Sequence, residues 1–272
     1  MQEAAFKAMG LKAFYLPFEV RPNEFRRLLG KLPRLQLDGF NITVPYKAMA
    51  LEYLDRLTPK AKAIRAVNTV FRKKGRWVGD NTDCKGFLDS LRKEGRFNPR
   101  HKRVLILGAG GASRAVAYGL AQSGAREIRI ANREKFRVRR QGIVRDFKKI
   151  FPKTLFREFS LNPQNLKHEL DDIQLIINAT SVGVLFENKR IIPFKLIPRA
   201  GQNRRLLFFD LGYHKETTFL KDAKKKGHRT LNGTGMLVRQ GAEAFRLWTG
   251  KPAPVKIMRN ALRNVIARQR FK

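Results

Sequence analysis

The stretch VLILGAGGASRA (residues 104–115) restricts this chain more than any other. Its first four residues are apolar and read as a strand buried on both faces. Gly108, Gly110 and Gly111 follow, and then GASRAVAYGLAQSG, a helical segment that ends at a glycine. A strand feeding a helix through glycines is the Rossmann context. The glycines permit a tight turn and a close backbone approach, and the first N–H groups of the helix bind a pyrophosphate. A bare Gly-x-Gly carries little weight, but a second strand, EIRIAN (residues 127–132), follows in the required order. Ser113 replaces the third glycine, a small departure.

The end of that second strand bears on coenzyme choice. NAD-binding chains usually offer Asp or Glu there to the ribose 2′-hydroxyl. This chain has Asn132, Arg133, Glu134 and Lys135, with Arg137 just beyond. Arg133 and Arg137 can hold a 2′-phosphate through charge-assisted hydrogen bonds, so NADP is the expected cofactor. Glu134 argues the other way, because a carboxylate repels that phosphate.

The expected fold class is α/β, with two α/β domains. Residues 1–98 form one unit, to which the C-terminal helices of 236–272 return. Residues 99–235 form the Rossmann-type unit. In the first part EAAFKAMGL and EFRRLLGKL read as helices, AFYLPFEV and GFNITV as strands, and AVNTVFRKKGRWVGDNTD as a hairpin with a Lys-Lys-Gly turn. GRFNPRHK reads as a linker. LIINAT and LLFFDL add short apolar runs suited to a parallel sheet.

Composition narrows the function. The formal charge of +36 attracts polyanions. Lys and Arg are nevertheless spread along the whole chain, without an RNP-type aromatic signature or zinc-finger spacing. The expected partner is a small-molecule substrate, with no specific nucleic acid. A single cysteine, Cys84, excludes an internal disulfide and a multi-cysteine zinc site, and no metal is expected. No apolar run approaches the ~18–20 residues that span a bilayer, and MQEAAFKAMG lacks a signal-peptide core. A soluble cytoplasmic chain, monomer or homodimer, is expected.

Lys47, in GFNITVPYKAM (residues 39–49), is placed unusually for one of 58 basic residues. Ile42-Thr43-Val44 reads as a strand and Pro45 as the first position of a helix. That puts Lys47 in a first helical turn, where the helix dipole disfavours a cation. Asp83 precedes KGFLDSLR and reads as either a helix cap or a site carboxylate. Gln240 lies one turn from Met236 and one from Ala244, and either belongs to the core or points into a cleft.

The segments NITVPYK, AVNTV, GDNTDCKGF, LGAGGASRA, ANR, NATSVG, DLGYHKETTFL and NGTGMLVRQGAEAFRLWTG stand in one order along nearly the whole chain. Together they resemble the shikimate dehydrogenase family. The resemblance implies a substrate or catalytic domain in residues 1–98 with 236–272, a Rossmann-type NADP-binding domain in residues 99–235, and an active-site cleft between the two. It implies reversible, NADP-dependent reduction of 3-dehydroshikimate to shikimate. It implies Lys47 as the catalytic lysine and Asp83 as its partner. Thr43, Lys47, Asn68, Asp83, Tyr213 and Gln240 match substrate contacts. Gly108, Ala109, Gly110, Gly111, Ala112, Asn132, Arg133, Arg137, Leu211 and Gly233 match cofactor contacts. Cys84 and His214 receive no role. A quinate-accepting or NAD-using relative is the alternative within the class.

The resemblance also places Met1 directly after a Ser-x-Ser-Pro motif whose serines hold the substrate carboxylate in the family. A start assigned too late and a shortened, catalytically impaired form both fit. The expectation for a chain starting at Met1 is that it binds NADP and barely binds shikimate.

Overall fold

The computed structural model describes residues 1–34, 36–183, 189–201, 205–213 and 216–269. His214 lies outside the described residues. The chain divides into two compact units, residues 1–86 with 238–272, and residues 87–237.

The first unit contains α1 (Gln2–Ala8), α2 (Pro22–Gly30), β1 (Gly39–Asn41), β2 (Arg56–Leu57), α3 (Pro59–Ile64), β3 (Thr69–Lys73) and β4 (Arg76–Asp80), and the start of α4 (Asp83–Lys93). Its sheet runs β1-β3-β4-β2, with β2 parallel to β4 and the other pairs antiparallel. The β3–β4 hairpin turns on Lys74 and Gly75, with φ of 52° and 74°. Two positive φ values in succession match the primed turn whose twist suits a two-residue hairpin. One core gathers Phe25, Leu29, Ile42, Val67, Val70 and Trp77. A second packs Ala5 and Phe6 of α1 against Val238 and Phe245, and against Met258 of the C-terminal helix.

Three expectations change here. The strand β1 ends at Asn41, so Ile42-Thr43-Val44 is not a strand. The segment AFYLPFEV is not a strand. Pro17 has no N–H to give a ladder, and Phe14, Leu16 and Phe18 stand exposed. Nor does a helix begin at Pro45. Residues 44–48 form a turn and a short 3-10 helix follows at Met49–Tyr53. Tertiary contacts outweigh helix propensity at this point. The Tyr46 ring stacks on Phe25 at 4.2 Å, its hydroxyl donates to the Val20 carbonyl at 2.5 Å, and the Lys47 carbonyl accepts from Val67 N at 2.8 Å. Lys47 is thus held on a turn, and the expected conflict with a helix dipole does not arise.

The second unit carries β5 (Arg103–Leu107), α5 (Gly111–Gln122), β6 (Glu127–Asn132), α6 (Arg137–Ile150), β7 (Leu155–Ser160), α7 (Pro163–Glu169), β8 (Leu175–Asn178), β9 (Leu207–Asp210), α8 (Thr218–Lys225) and β10 (Arg229–Leu231). All six strands are parallel, in the order β10-β9-β8-β5-β6-β7. The order reverses at β5, so the carboxyl ends of β5 and β8 mark the topological switch point where open α/β sheets bind ligands. Val104 to Leu107 are fully buried, as a strand covered on both faces requires. The helices α9 (Thr234–Thr249) and α10 (Val255–Gln269) complete the chain.

Candidate active site

In the first unit the hairpin, the turn at residues 44–48, the start of α4 and the middle of α9 bring five polar side chains together. Lys47 Nζ lies 2.6 Å from Asp83 Oδ2, with side chains 15% and 8% exposed. Asp83 is the first residue of α4, where the helix dipole favours a carboxylate. Its second oxygen, Oδ1, accepts from Asn68 Nδ2 at 2.8 Å. Asn68 is buried and sits one residue before β3. Its Oδ1 accepts from Thr82 N at 2.7 Å, and its Nδ2 lies 3.0 Å from Thr82 Oγ1 and 3.3 Å from Gln240 Oε1. Thr82 Oγ1 is also 3.3 Å from Gln240 Oε1.

The cluster is built so that each member fixes the next. A buried polar group without a partner costs about 1–3 kcal/mol, so the amide, hydroxyl and carboxylate have one mutually satisfying arrangement. The outcome is an ammonium with one carboxylate oxygen as its anchor, on a carboxylate whose other oxygen is already held. Such a lysine can deliver or take a proton at an oxygen beside it, or stabilise developing negative charge there.

In the second unit the glycine loop leaves the carboxyl end of β5. Gly108 has φ of 115°, and a side chain at its Cα would place Cβ 2.8 Å from the Ala179 carbonyl. Gly110 is the N-cap of α5, and a Cβ there would meet nothing within 4 Å. Space therefore opens before the N-terminus of a 12-residue helix that has no side-chain cap. Gly233 closes on Leu211, since its Cβ would lie 2.0 Å from the Leu211 carbonyl oxygen, and Gly233 N donates to the Gly212 carbonyl at 2.8 Å. Only glycine fits that approach.

At the end of β6, Arg133 and Arg137 are exposed. The Arg133 guanidinium lies 5.2 Å from the centre of the Phe136 ring. Glu134 is ion-paired to Arg140 at 3.1 Å, and the Arg140 guanidinium together with the Ser160 hydroxyl holds its carboxyl below the ordinary glutamate range. A loop open to an anion, a capless helix start and exposed arginines fit a dinucleotide with a 2′-phosphate.

Matching sequence models cover most of the chain. The shikimate dehydrogenase substrate binding domain matches residues 1–70, shikimate / quinate 5-dehydrogenase residues 92–218, and the shikimate 5′-dehydrogenase C-terminal domain residues 233–263. A shikimate dehydrogenase (NADP(+)) of Desulforamulus reducens is 38% identical over 98% of this chain and 90% of its own length. One from Methanopyrus kandleri is 41% identical over 96% of this chain and 89% of its own. The chain belongs to the shikimate dehydrogenase family. Among solved structures, the shikimate 5-dehydrogenase of Listeria monocytogenes, crystallised with shikimate and NAD, superposes with a TM-score of 0.86 at 32% identity, covering 96% of this chain and 90% of that one.

In this shikimate dehydrogenase family member, Lys47, Asn68, Asp83 and Gln240 meet in one cluster. Thr43 is exposed two residues past β1, and its carbonyl accepts from Tyr46 N at 3.0 Å. Tyr213 belongs to the other unit, three residues past β9, and burial pushes its phenol up. Sequence reasoning missed Thr82, which joins Asn68 to Gln240, and Asn41, whose Nδ2 donates to the Asn68 carbonyl and Thr69 Oγ1 at 3.0 Å each. Both lie inside the quoted segments GFNITV and GDNTD. For Asn41 the available signal was a polar residue between apolar ones on a short strand; Thr82, between Asn81 and Asp83 past the end of β4, offered no such signal. Among the described residues no helix is long and apolar enough to cross a membrane, and no group of three or more His, Cys, Asp or Glu is placed to hold a metal ion.

Proposed function

We propose that this chain catalyses NADP-dependent interconversion of 3-dehydroshikimate and shikimate, with Lys47 as the acid/base group and Asp83 as its partner. The observation that carries the reading is the 2.6 Å Lys47–Asp83 pair, with the second Asp83 oxygen tied to the buried Asn68. NADP, when bound, supplies or accepts the hydride. Lys47 Nζ moves the proton at the substrate oxygen whose carbon changes oxidation state. Asp83 fixes the direction of that ammonium and offers an acceptor to a neighbouring substrate hydroxyl. Asn68 and Gln240 present amides to the remaining polar groups of the ring, and Thr43 and Tyr213 complete the proposed substrate contacts. Gly108, Ala109, Gly110, Gly111 and Ala112 form the phosphate loop. Asn132, Arg133 and Arg137 receive the adenosine end, and Leu211 and Gly233 line the remaining coenzyme contacts.

Steady-state oxidation of shikimate and of quinate, each with NADP and with NAD, tests the reading. The expected order is shikimate with NADP first. Faster turnover of quinate, or a preference for NAD, would favour the quinate side of the family description that residues 92–218 match.

A further inference from the structure

We infer that Arg140 is a specificity-determining residue, sustaining the NADP preference by binding the Glu134 carboxylate that would otherwise oppose a 2′-phosphate. This rests on the NADP reading above. Arg140 lies on α6 with its side chain 3% exposed, whereas Glu134 is 62% exposed. The guanidinium reaches four acceptors. Nε donates to Glu158 Oε2 of β7 at 2.6 Å, and Nη2 to Glu134 Oε2 at 3.1 Å. Nη1 donates to the carbonyls of Asn132 at 2.9 Å and Arg133 at 3.0 Å. One buried group thus holds both the backbone that carries Arg133 and the acid beside it.

The position of Glu134 makes this consequential. An acid at the end of the second strand is the usual acceptor for the ribose 2′-hydroxyl of NAD. Here that acid is paired with Arg140 and hydrogen-bonded to Ser160, and exposed Arg137 is only the last and weakest of its charge partners. Lysine could not substitute, because a point charge lacks the planar fork that serves two carboxylates and two carbonyls at once. Without Arg140, Glu134 and Glu158 lose their shared cation. The segment becomes one charge more negative, and Glu134 keeps the Ser160 hydroxyl but loses its paired cation.

Calorimetric titration with adenosine 2′,5′-bisphosphate and with adenosine 5′-monophosphate isolates the 2′-phosphate without any turnover. Arg140→Gln should weaken the bisphosphate about tenfold and the monophosphate less than about twofold, as expected for one added negative charge at short range. Glu134→Gln placed in the Arg140→Gln background should restore most of the loss. In the otherwise unaltered protein, Glu134→Gln should change bisphosphate affinity by less than about threefold, because its charge is already held. The inference is overturned if Glu134→Gln has the same effect in both backgrounds, or if Arg140→Gln weakens both probes equally. Should Arg140→Gln fail to fold in thermal unfolding, Glu134→Gln alone decides. Tightening of the bisphosphate beyond about threefold would show that Glu134 opposes the phosphate despite Arg140, and a smaller change supports the inference. An unaltered protein that binds both probes equally would overturn the NADP reading itself. A preference for the bisphosphate with additive variants would overturn only the role of Arg140.

Discussion

Lys47 and Arg133 are both cations in a chain that has 58 of them, and the structure treats them in opposite ways. Lys47 is largely buried against a carboxylate whose other oxygen, amide neighbour and hydroxyl neighbour are all fixed. Arg133 is exposed over an aromatic ring, on a backbone that a buried arginine holds from beneath. The first arrangement suits proton transfer, which depends on placing one atom. The second suits binding a phosphate, which depends on charge more than on a single geometry. The difference shows that net charge says little about the role of a basic residue here, and its partners say much.

That contrast breaks most sharply at Lys47. Lys47→Ala should lower turnover by roughly 10²–10⁴-fold, the range for a lost proton-transfer group, while the substrate KM changes far less. Steady-state kinetics reads both quantities. Arg133→Ala should instead weaken NADP by roughly 10–100-fold, as for a lost charge-assisted hydrogen bond, and leave NAD nearly unchanged. Equal weakening of both coenzymes would remove this arginine from phosphate recognition.

The same comparison can be sharpened with salt. Screening shortens from about 30 Å at 0.01 M to about 3 Å at 1 M. The ratio of NADP to NAD affinity should therefore shrink as salt rises, while the effect of Lys47→Ala on turnover stays. Asn68→Ala probes the buried side: it leaves Asp83 Oδ1 and Thr82 N without their partner, and should cost about 1–3 kcal/mol in urea unfolding.

The smallest effect is at Cys84, next to Asp83. Burial, with Asp83 and Asp80 adding to it against Lys60, pushes its thiol up from 9.0 to about 11. The folded chain thus disfavours the thiolate. Stability from this group is intact below pH 9.0 and declines as pH rises toward about 11. Native protein should resist iodoacetamide at neutral pH and react only once unfolded. Fast native labelling would contradict this burial.

The Rossmann half was legible because every local rule agrees with the fold. A buried strand, glycines, a helix and a second strand stand in unbroken order, and β5, α5 and β6 fall on them. The first unit was less legible. Residues 44–48 read as a helix start, yet Tyr46 packing on Phe25 and the Lys47 carbonyl bonded to Val67 decide the backbone there. Those partners are about 20 residues away in sequence, beyond any local pattern. The family's segments pointed to Lys47 and Asp83, which the structure brings within 2.6 Å of each other, whereas the helix dipole pointed to Lys47 through a helix that is not there. Asn41 escaped notice because a lone polar residue on a strand carries no period, and Thr82 because it sits among polar neighbours between β4 and α4. The pairing of Glu134 with Arg140 escaped for a similar reason: six residues separate them, and the 3-10 turn at Glu134–Phe136 sets their approach.

The most direct test of the separation between a proton-transfer cation and a phosphate-binding cation is single-turnover hydride transfer at saturating shikimate. It would be followed by coenzyme fluorescence with NADP and with NAD, in the unaltered chain, Lys47→Ala and Arg133→Ala. The account predicts that Lys47→Ala slows transfer by roughly 10²-fold or more with the NADP-to-NAD ratio of affinities unchanged. It predicts that Arg133→Ala leaves the saturated rate within about twofold and collapses that ratio. Variants that each move both quantities together, or a Lys47→Ala chain that transfers hydride at the original rate, would contradict it.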